Sequence, residues 1–434
     1  MYWLYSVFLT IGLLAVAPYL LLKDTQDGRY TRFLGERFGR IAPMPPGGVI
    51  WVHAVSVGET LAIEPLVARL RELYPERPLA LSVTTAAARN LAERRVPASR
   101  IFYFPLDLPR AARRALAAVA PALVLIVETE IWPNFLREAA TRNTPVLFIN
   151  GRISGRSFAR YRLLGRLLRK PLGCVRGFLM QSETDARRIV ELGAPPERVQ
   201  VIGNLKYDLL PAENLSFRKS MQNALRRAGI RQVLVAGSTM EGEEELVLEA
   251  WRTLKPAYGR LLVIAPRHPQ RFEAVARKLT ASGLPWTRRT RLDTDGLAAD
   301  GILLLDTIGE LAAMYQFAQA VFVGGSLAPH GGHNLLEPAY FGVPVTFGPY
   351  MFNFSSIAEQ FLKQGAAFRT DSAPELARVW QRLLDEEPLR RRMGEAARQL
   401  LAAKRGATDR VLEVIARQLE HSAAAEALPC PPPN

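Results

Sequence analysis

Cysteine is nearly absent. Cys174 and Cys430 are the two in 434 residues, so there is no disulfide framework and no CxxC pair to hold a metal. A reducing compartment is the simplest reading. Acidic residues also run short, with 41 Asp and Glu against 56 Lys and Arg, a formal charge of +15. Such an imbalance asks for nucleic acid, anionic lipid or phosphorylated small molecules as partner, and composition alone does not choose. Neither a G-x-G-x-x-G fingerprint nor a Walker loop occurs, which removes support for hydride transfer and ATP hydrolysis. Collagen-like and low-complexity blocks are missing too. What remains is a folded chain, 49% hydrophobic and 22% charged, long enough for two domains.

One long uncharged run is present, from Tyr2 to Leu22. At about 1.5 Å per residue it could cross a bilayer core. Trp3, Tyr5 and Tyr19 resemble interfacial anchors. Lys23, Arg29, Arg32, Arg37 and Arg40 follow, against Asp24, Asp27 and Glu36, which assigns the bulk of the chain to the cytoplasmic side. Residues 1–22 are therefore expected to form a membrane anchor, with a helix lying in the interface as the alternative. A cleaved signal peptide fits less well, because no basic residue precedes the run.

From residue 48 short apolar runs alternate with amphipathic stretches. Val49–Val52, Leu79–Val83, Leu123–Val127, Val146–Ile149 and Gly177–Met180 read as strands, with a helix over Gly58–Leu73. A polar stretch over 206–229 interrupts the pattern, which then resumes with Gln232–Ala236, Leu261–Ile264, Ile302–Leu305, Ala320–Val323 and Val343–Thr346. Strand–helix alternation predicts an α/β fold with parallel sheets. The expected organisation is a Rossmann-like domain over 30–205, a linker over 206–229, a second Rossmann-like domain over 230–420 and a tail over 421–434. Ligands in such sheets sit at the carboxyl ends of the strands, here facing a central cleft.

Several segments carry polar residues at those strand ends. His53 to Thr60 includes Glu59 at a strand-to-helix turn, where a first-turn helix acid is the plainer reading. Glu128 and Glu130 follow another strand, and with Glu59 they could form a cluster whose mutual repulsion raises one pKa toward a general-base value. Lys206 stands after a Gly-Asn turn. Arg267 and His268 lie just beyond a strand, and Asp306 to Leu311 forms another strand-to-helix turn. Gly324 to Pro338 is richest: glycines with exposed N–H groups, then Asn334 opening a helix that carries Glu337. It suits a nucleotide phosphate, with Glu337 on ribose hydroxyls. His330 and His333 lack companions at zinc spacing, so no metal is expected. Between Arg152 and Arg176 lie eight basic residues and no acid, with Phe158, Tyr161, Leu164 and Leu168 on an apolar side. That helix suits anionic lipid or acceptor phosphates. Nucleic acid is not expected, because only Phe158 and Tyr161 are aromatic there.

The order of the anchor, Gly35-Glu36-Arg37-Phe38-Gly39, Val55 to Thr60, Glu128 to Asn134, Gly203 to Asp208, Pro266-Arg267-His268-Pro269 and Gly331 to Pro338 resembles the Kdo (3-deoxy-D-manno-octulosonic acid) transferases of lipopolysaccharide inner-core synthesis. The resemblance runs from the anchor to about residue 400. It implies a GT-B fold, an inverting, metal-independent glycosyltransferase without cofactor, and transfer of Kdo from CMP-Kdo to a lipid A precursor (lipid IVA) at the anionic inner-membrane surface. Glu59 would then be the general base, assisted by Glu128 and Lys206. Arg267, His268, Ile308, Gly309, Glu310, Asn334, Leu335, Leu336 and Glu337 would hold CMP, while Arg156, Arg160, Arg166 and Arg169 would meet acceptor or membrane. A UDP-sugar enzyme of the same fold is the alternative.

Overall fold

The computed structural model describes residues 2–27, 33–45, 48–211 and 213–427. Arg29 and Arg32, the side chains of Lys23 and Arg166, and the Pro-rich end from residue 428 lie outside the described residues. Two compact units form: Met1–Leu209 with Arg405–Asn434, and Leu210–Lys404.

In the first unit β1 (Val49–Ala54), β2 (Leu79–Val83), β3 (Arg100–Tyr103), β4 (Pro121–Val127), β5 (Val146–Gly151), β6 (Gly177–Met180) and β7 (Val199–Val201) make one sheet in the order β3-β2-β1-β4-β5-β6-β7. All pairings are parallel. Every residue of β1 and β2 is buried, as expected of a parallel sheet covered on both faces. Alternation divides them between two cores: Val49 and Trp51 join Phe102, Val124 and Phe135, whereas Ile50 and Val52 join Leu81, Leu125 and Ile149.

The second unit repeats the plan with β8 (Gln232–Thr239), β9 (Arg260–Pro266), β10 (Trp286–Arg288), β11 (Gly301–Leu304), β12 (Ala320–Val323), β13 (Val345–Phe347) and β14 (Ala367–Arg369), in the order β10-β11-β9-β8-β12-β13-β14. It is parallel throughout. The chain thus carries two parallel-sheet, Rossmann-like α/β domains.

Four strands escape the sequence reading: β3, β7, β10 and β14. They are the outermost strands of the two sheets. Each is short and mixed in character (Arg-Ile-Phe-Tyr, Val-Gln-Val, Trp-Thr-Arg, Ala-Phe-Arg), so none shows an apolar run. Glu36 secures one of these edges, accepting from the β3 backbone at Tyr103 N (2.8 Å) and from Arg89 (2.6 Å). Gly39 ends that motif at φ +76°, where a Cβ would stand 2.2 Å from the Ala111 carbonyl oxygen, so no larger residue fits unchanged.

Other expectations need correction. The helix over Gly58–Leu73 is two, Val57–Ala62 and Glu64–Leu73, broken at Ile63 with Pro65 in the first turn of the second. The stretch 206–229 is not simply linker: Leu215–Arg227 is helical and buries Phe217, Met221 and Leu225, an apolar stripe at every fourth position. The second domain does not extend to 420. From Arg405 the chain returns to the first unit, where Val411, Leu412 and Ile415 of helix Ala407–Ala427 pack with Ile50 and Val52. Asp208 holds that return by accepting from Gly406 N (2.7 Å) and Thr408 N (2.6 Å).

The spanning anchor is also corrected. Tyr2–Asp27 is helical, but among the described residues no helix is long and apolar enough to cross a membrane. Its first turns have polar business with the domain instead: Asn134 Nδ2 donates to Ser6 Oγ (3.0 Å), and the Arg137 guanidinium lies 5.1 Å from the Tyr2 ring. Trp3, Phe8, Ile11 and Leu14 remain exposed on the other side.

Candidate active site

In the first unit an acid cluster forms at the carboxyl ends of the central strands. Glu59 is 7% exposed. Ser56 caps the helix by accepting from Glu59 N (3.4 Å), and the Glu59 carboxylate accepts from Val55 N and Ser56 Oγ, both at 2.8 Å. The plain reading of a first-turn acid is therefore satisfied as well. Burial, then the charges of Glu128 and Glu130, raise the Glu59 pKa from 4.5 to about 7. Glu130 is likewise raised to about 7, by burial and then by Glu128. Glu128 occupies a left-handed conformation at φ +59°, with its N–H bonded to Ile149 O (2.9 Å), and Asn150 at the end of β5 does the same at φ +53°. Non-glycine residues held there store strain, and such strain collects at functional sites.

Lys206 belongs to the same cluster. Burial lowers its pKa, while Glu128 and Glu59 oppose that shift and Arg152 adds to it. Its backbone is fixed by Asn204 Oδ1, which accepts from Lys206 N (2.9 Å), and by Asn150 Oδ1, which accepts from Leu205 N (3.0 Å). Gln181 ties these together, donating to Asn150 O (3.0 Å) and accepting from Asn204 Nδ2 (2.9 Å). Glu59, Glu128 and Lys206 thus act on one another electrostatically, as the sequence suggested. Arg152, read in the sequence only as part of the basic stretch, and the Asn150–Gln181–Asn204 network, of which only Asn204 stood in a motif, were not expected in this cluster. Their signal was position: Arg152 and Gln181 directly follow strands, Asn204 follows Gly203, and Asn150 is a polar residue at the end of β5.

The basic stretch is only partly as expected. Phe158 and Tyr161 pack on the core and Leu168 is buried, but Leu163, Leu164 and Leu167 are exposed, so the apolar residues divide between two sides. Arg156, Arg160 and Arg169 are exposed. Arg162 meets an acid after all, Glu191 at 3.6 Å.

In the second unit Arg267 follows β9, with its N–H on Thr239 O (3.0 Å). Arg267, His268, His330 and His333 lie within electrostatic reach of one another. Burial first, then these neighbours, lower His333 to about 4 and hold His268 below its usual range. His268 and His333 are therefore neutral donors at pH 7 beside a guanidinium, a set suited to a phosphate. Asn334 Oδ1 accepts from Leu336 N (3.0 Å) and its Nδ2 donates to Glu337 Oε1 (3.1 Å), so it starts the turn and aims the carboxylate. Leu335 and Leu336 are buried, leaving only their backbone for a ligand. Ile308 is 78% exposed, Gly309 turns at φ +87°, and Glu310 is held by Arg289 (3.0 Å) and Thr307.

The glycine nest needs the largest revision. Its N–H groups are already filled, by the wholly buried Glu243: Gly325 N (2.6 Å), Ser326 N (2.8 Å), Leu327 N (2.8 Å) and Ala328 N (3.4 Å) all donate to that carboxylate, as does Met240 N (2.9 Å). An internal anion therefore occupies the place assigned to a phosphate. Tyr315 was also missed. It is buried against Gly237, whose absent Cβ would lie 2.3 Å from the Tyr315 hydroxyl. Burial, then Glu337, hold that phenol well above its usual pKa.

Residues 32–209 match the family described as 3-Deoxy-D-manno-octulosonic-acid transferase (kdotransferase), and residues 292–400 match Glycosyl transferases group 1. A Haemophilus influenzae protein named 3-deoxy-D-manno-octulosonic acid transferase is 35% identical over 434 residues, covering 96% of this chain and 100% of its own. A Bordetella pertussis protein of that name is 37% identical over 426 residues, covering 94% and 97%. The UDP-GlcNAc 2-epimerase from Neisseria meningitidis bound to UDP-GlcNAc matches with a TM-score of 0.58 at 12% identity, covering 85% of this chain and 100% of that one, a likeness of fold alone.

Proposed function

The chain belongs to the 3-deoxy-D-manno-octulosonic acid transferase family, and from that premise we propose that it transfers Kdo from CMP-Kdo to a hydroxyl of a lipid A precursor, with inversion and without a bound metal. It is a glycosyltransferase of lipopolysaccharide core synthesis. The observation that carries the mechanism is Glu59: a buried carboxyl, held by Val55 N–H and Ser56, whose pKa of about 7 leaves it substantially ionised at neutral pH and still basic enough to accept a proton.

Glu59 takes the proton of the attacking hydroxyl as the new C–O bond forms at the anomeric carbon of Kdo. The bond from that carbon to the CMP phosphate oxygen breaks on the opposite face, and CMP leaves with the electron pair. Glu128 and Lys206 stabilise charge during attack, with Glu128 and Glu59 opposing the lowering of the Lys206 pKa by burial. Arg267 and His268 bind the departing phosphate, joined by His330 and His333. Glu337, oriented by Asn334, takes the ribose hydroxyls, and the Ile308-Gly309-Glu310 turn together with the backbone at Leu335 and Leu336 completes the nucleotide contacts. The Arg267 guanidinium supplies the positive charge, and the imidazoles the hydrogen-bond donors, that meet the phosphate on this reading.

The reaction takes place, on this reading, at the cytoplasmic surface of the inner membrane. Exposed Trp3, Phe8, Ile11 and Leu14 on the N-terminal helix, with Leu163, Leu164, Leu167, Arg156, Arg160 and Arg169, support contact with an anionic lipid surface. Competition between CMP and UDP for the full chain tests the donor assignment. CMP should displace labelled CMP-Kdo and UDP should not; preference for UDP rejects the proposal.

A further inference from the structure

The N-terminal helix has two sides with different partners. One bears the exposed Trp3, Phe8, Ile11 and Leu14. The other reaches into the first unit through residues 5 and 6. Asn134 Nδ2 donates both to Ser6 Oγ (3.0 Å) and to Asp107 O (2.6 Å). The Tyr5 hydroxyl hydrogen-bonds the Asp107 carboxylate. Asp107 and Asn134 are both buried.

What they hold is the start of helix Pro133–Thr141. Its N-cap, Trp132, offers no side-chain cap. Asp107 substitutes for one, accepting from Asn134 N (3.1 Å) and Phe135 N (2.7 Å). Asn134 closes the segment Glu128 to Asn134 that carries two acids of the cluster. That segment is packed as well as bonded: the Trp132 ring lies 5.8 Å from Phe104, which stacks 3.8 Å from the His53 ring of β1. A shift at Asn134 must therefore move Trp132 and Glu130, because Pro133 joins them with little freedom.

We infer that Tyr5 and Ser6 are positioning residues for the acid cluster, so that the N-terminal helix braces the catalytic segment through Asp107 and Asn134. The inference rests on the proposed transfer reaction, because the loss it foresees is a loss of turnover. It separates two tasks that one helix performs. Its apolar side meets the surface, and its polar first turns set the geometry of Glu128 to Asn134.

The test uses the full chain carrying Tyr5→Phe and Ser6→Ala, which removes two hydroxyls and leaves Trp3, Phe8, Ile11 and Leu14 in place. Turnover would be measured with CMP-Kdo and detergent-dispersed lipid A precursor. Binding to vesicles of phosphatidylethanolamine and phosphatidylglycerol would be measured alongside. Since a displacement of about 1 Å can cost about 100-fold, kcat should fall by about 10- to 100-fold, with donor KM and vesicle binding unchanged and kcat recovered in part when Ser6 is Thr instead of Ala. Wild-type kcat in the double variant overturns the inference, whatever its vesicle binding. So does a fall in kcat matched by an equal loss of vesicle binding and not rescued by Ser6→Thr. If the double variant has no melting transition, Tyr5→Phe alone, which keeps the ring, takes its place: a fall in kcat at unchanged vesicle binding supports the inference, and wild-type kcat or an equal loss of vesicle binding overturns it. An inactive wild-type chain would instead count against the transfer reaction itself.

Discussion

Replacing Glu59 by Gln should stabilise the protein and disable it, and the two effects have different dependences on pH. In the folded chain the Glu59 carboxyl titrates near pH 7 instead of 4.5, because burial and the neighbouring Glu128 and Glu130 disfavour its charge. The folded state therefore holds a proton that the unfolded chain has already released between pH 4.5 and 7. Stability contributed by this group is full below pH 4.5 and is lost as pH rises through 7. A shift from 4.5 to about 7 corresponds to at most about 3–4 kcal/mol, at about 1.4 kcal/mol per pH unit. Gln is neutral, keeps the shape, and still accepts from Val55 N. By thermal unfolding from pH 5 to pH 8, Glu59→Gln should melt close to wild type at the acid end and several degrees higher at pH 8, at roughly 2–4 °C per kcal/mol. Turnover should fall by about 10²–10⁴-fold at pH 8, where the wild-type carboxyl is ionised, and by much less at pH 5, where it is already protonated. A variant that melts below wild type at pH 8, or by the same margin at both ends, refutes the desolvation argument. Unchanged turnover removes Glu59 as the base.

Lys206→Ala should lower kcat by at least about 10-fold with little change in donor KM, read from initial rates, because the ammonium acts on charge developing in the transition state. Arg267→Ala should do the reverse in part, weakening CMP binding by about 10-fold or more in calorimetry, the usual scale for losing a charged hydrogen bond to phosphate. Glu243→Ala leaves five N–H groups without an acceptor in a buried site, and denaturant unfolding should show a loss of at least about 3 kcal/mol.

The central strands were legible because a parallel strand covered on both faces must be apolar at every position, as in Val49 to Val52 and Leu79 to Val83. The edge strands were not, since one flank and the chain ends admit Arg100, Gln200 and Arg288. Glu59 and Glu128 could be found because each follows a legible strand, and Lys206 because it follows a Gly-Asn turn, where loops carry chemistry. Glu243 could not be told from an ordinary first-turn acid: its role depends on a loop more than eighty residues away in sequence. The same holds for Asp208, whose partners Gly406 and Thr408 are about two hundred residues on, and for Ser6 with Asn134. Local pattern reports burial and period. It does not report which distant backbone a polar side chain will serve.

The most direct test is to incubate the full chain with CMP-Kdo and a lipid A precursor and weigh the lipid product. The account predicts a precursor heavier by one or more Kdo residues, CMP released in equal number, and neither product when Glu59 is Gln. A precursor of unchanged mass beside consumed CMP-Kdo, or full product from the Glu59→Gln chain, would contradict it.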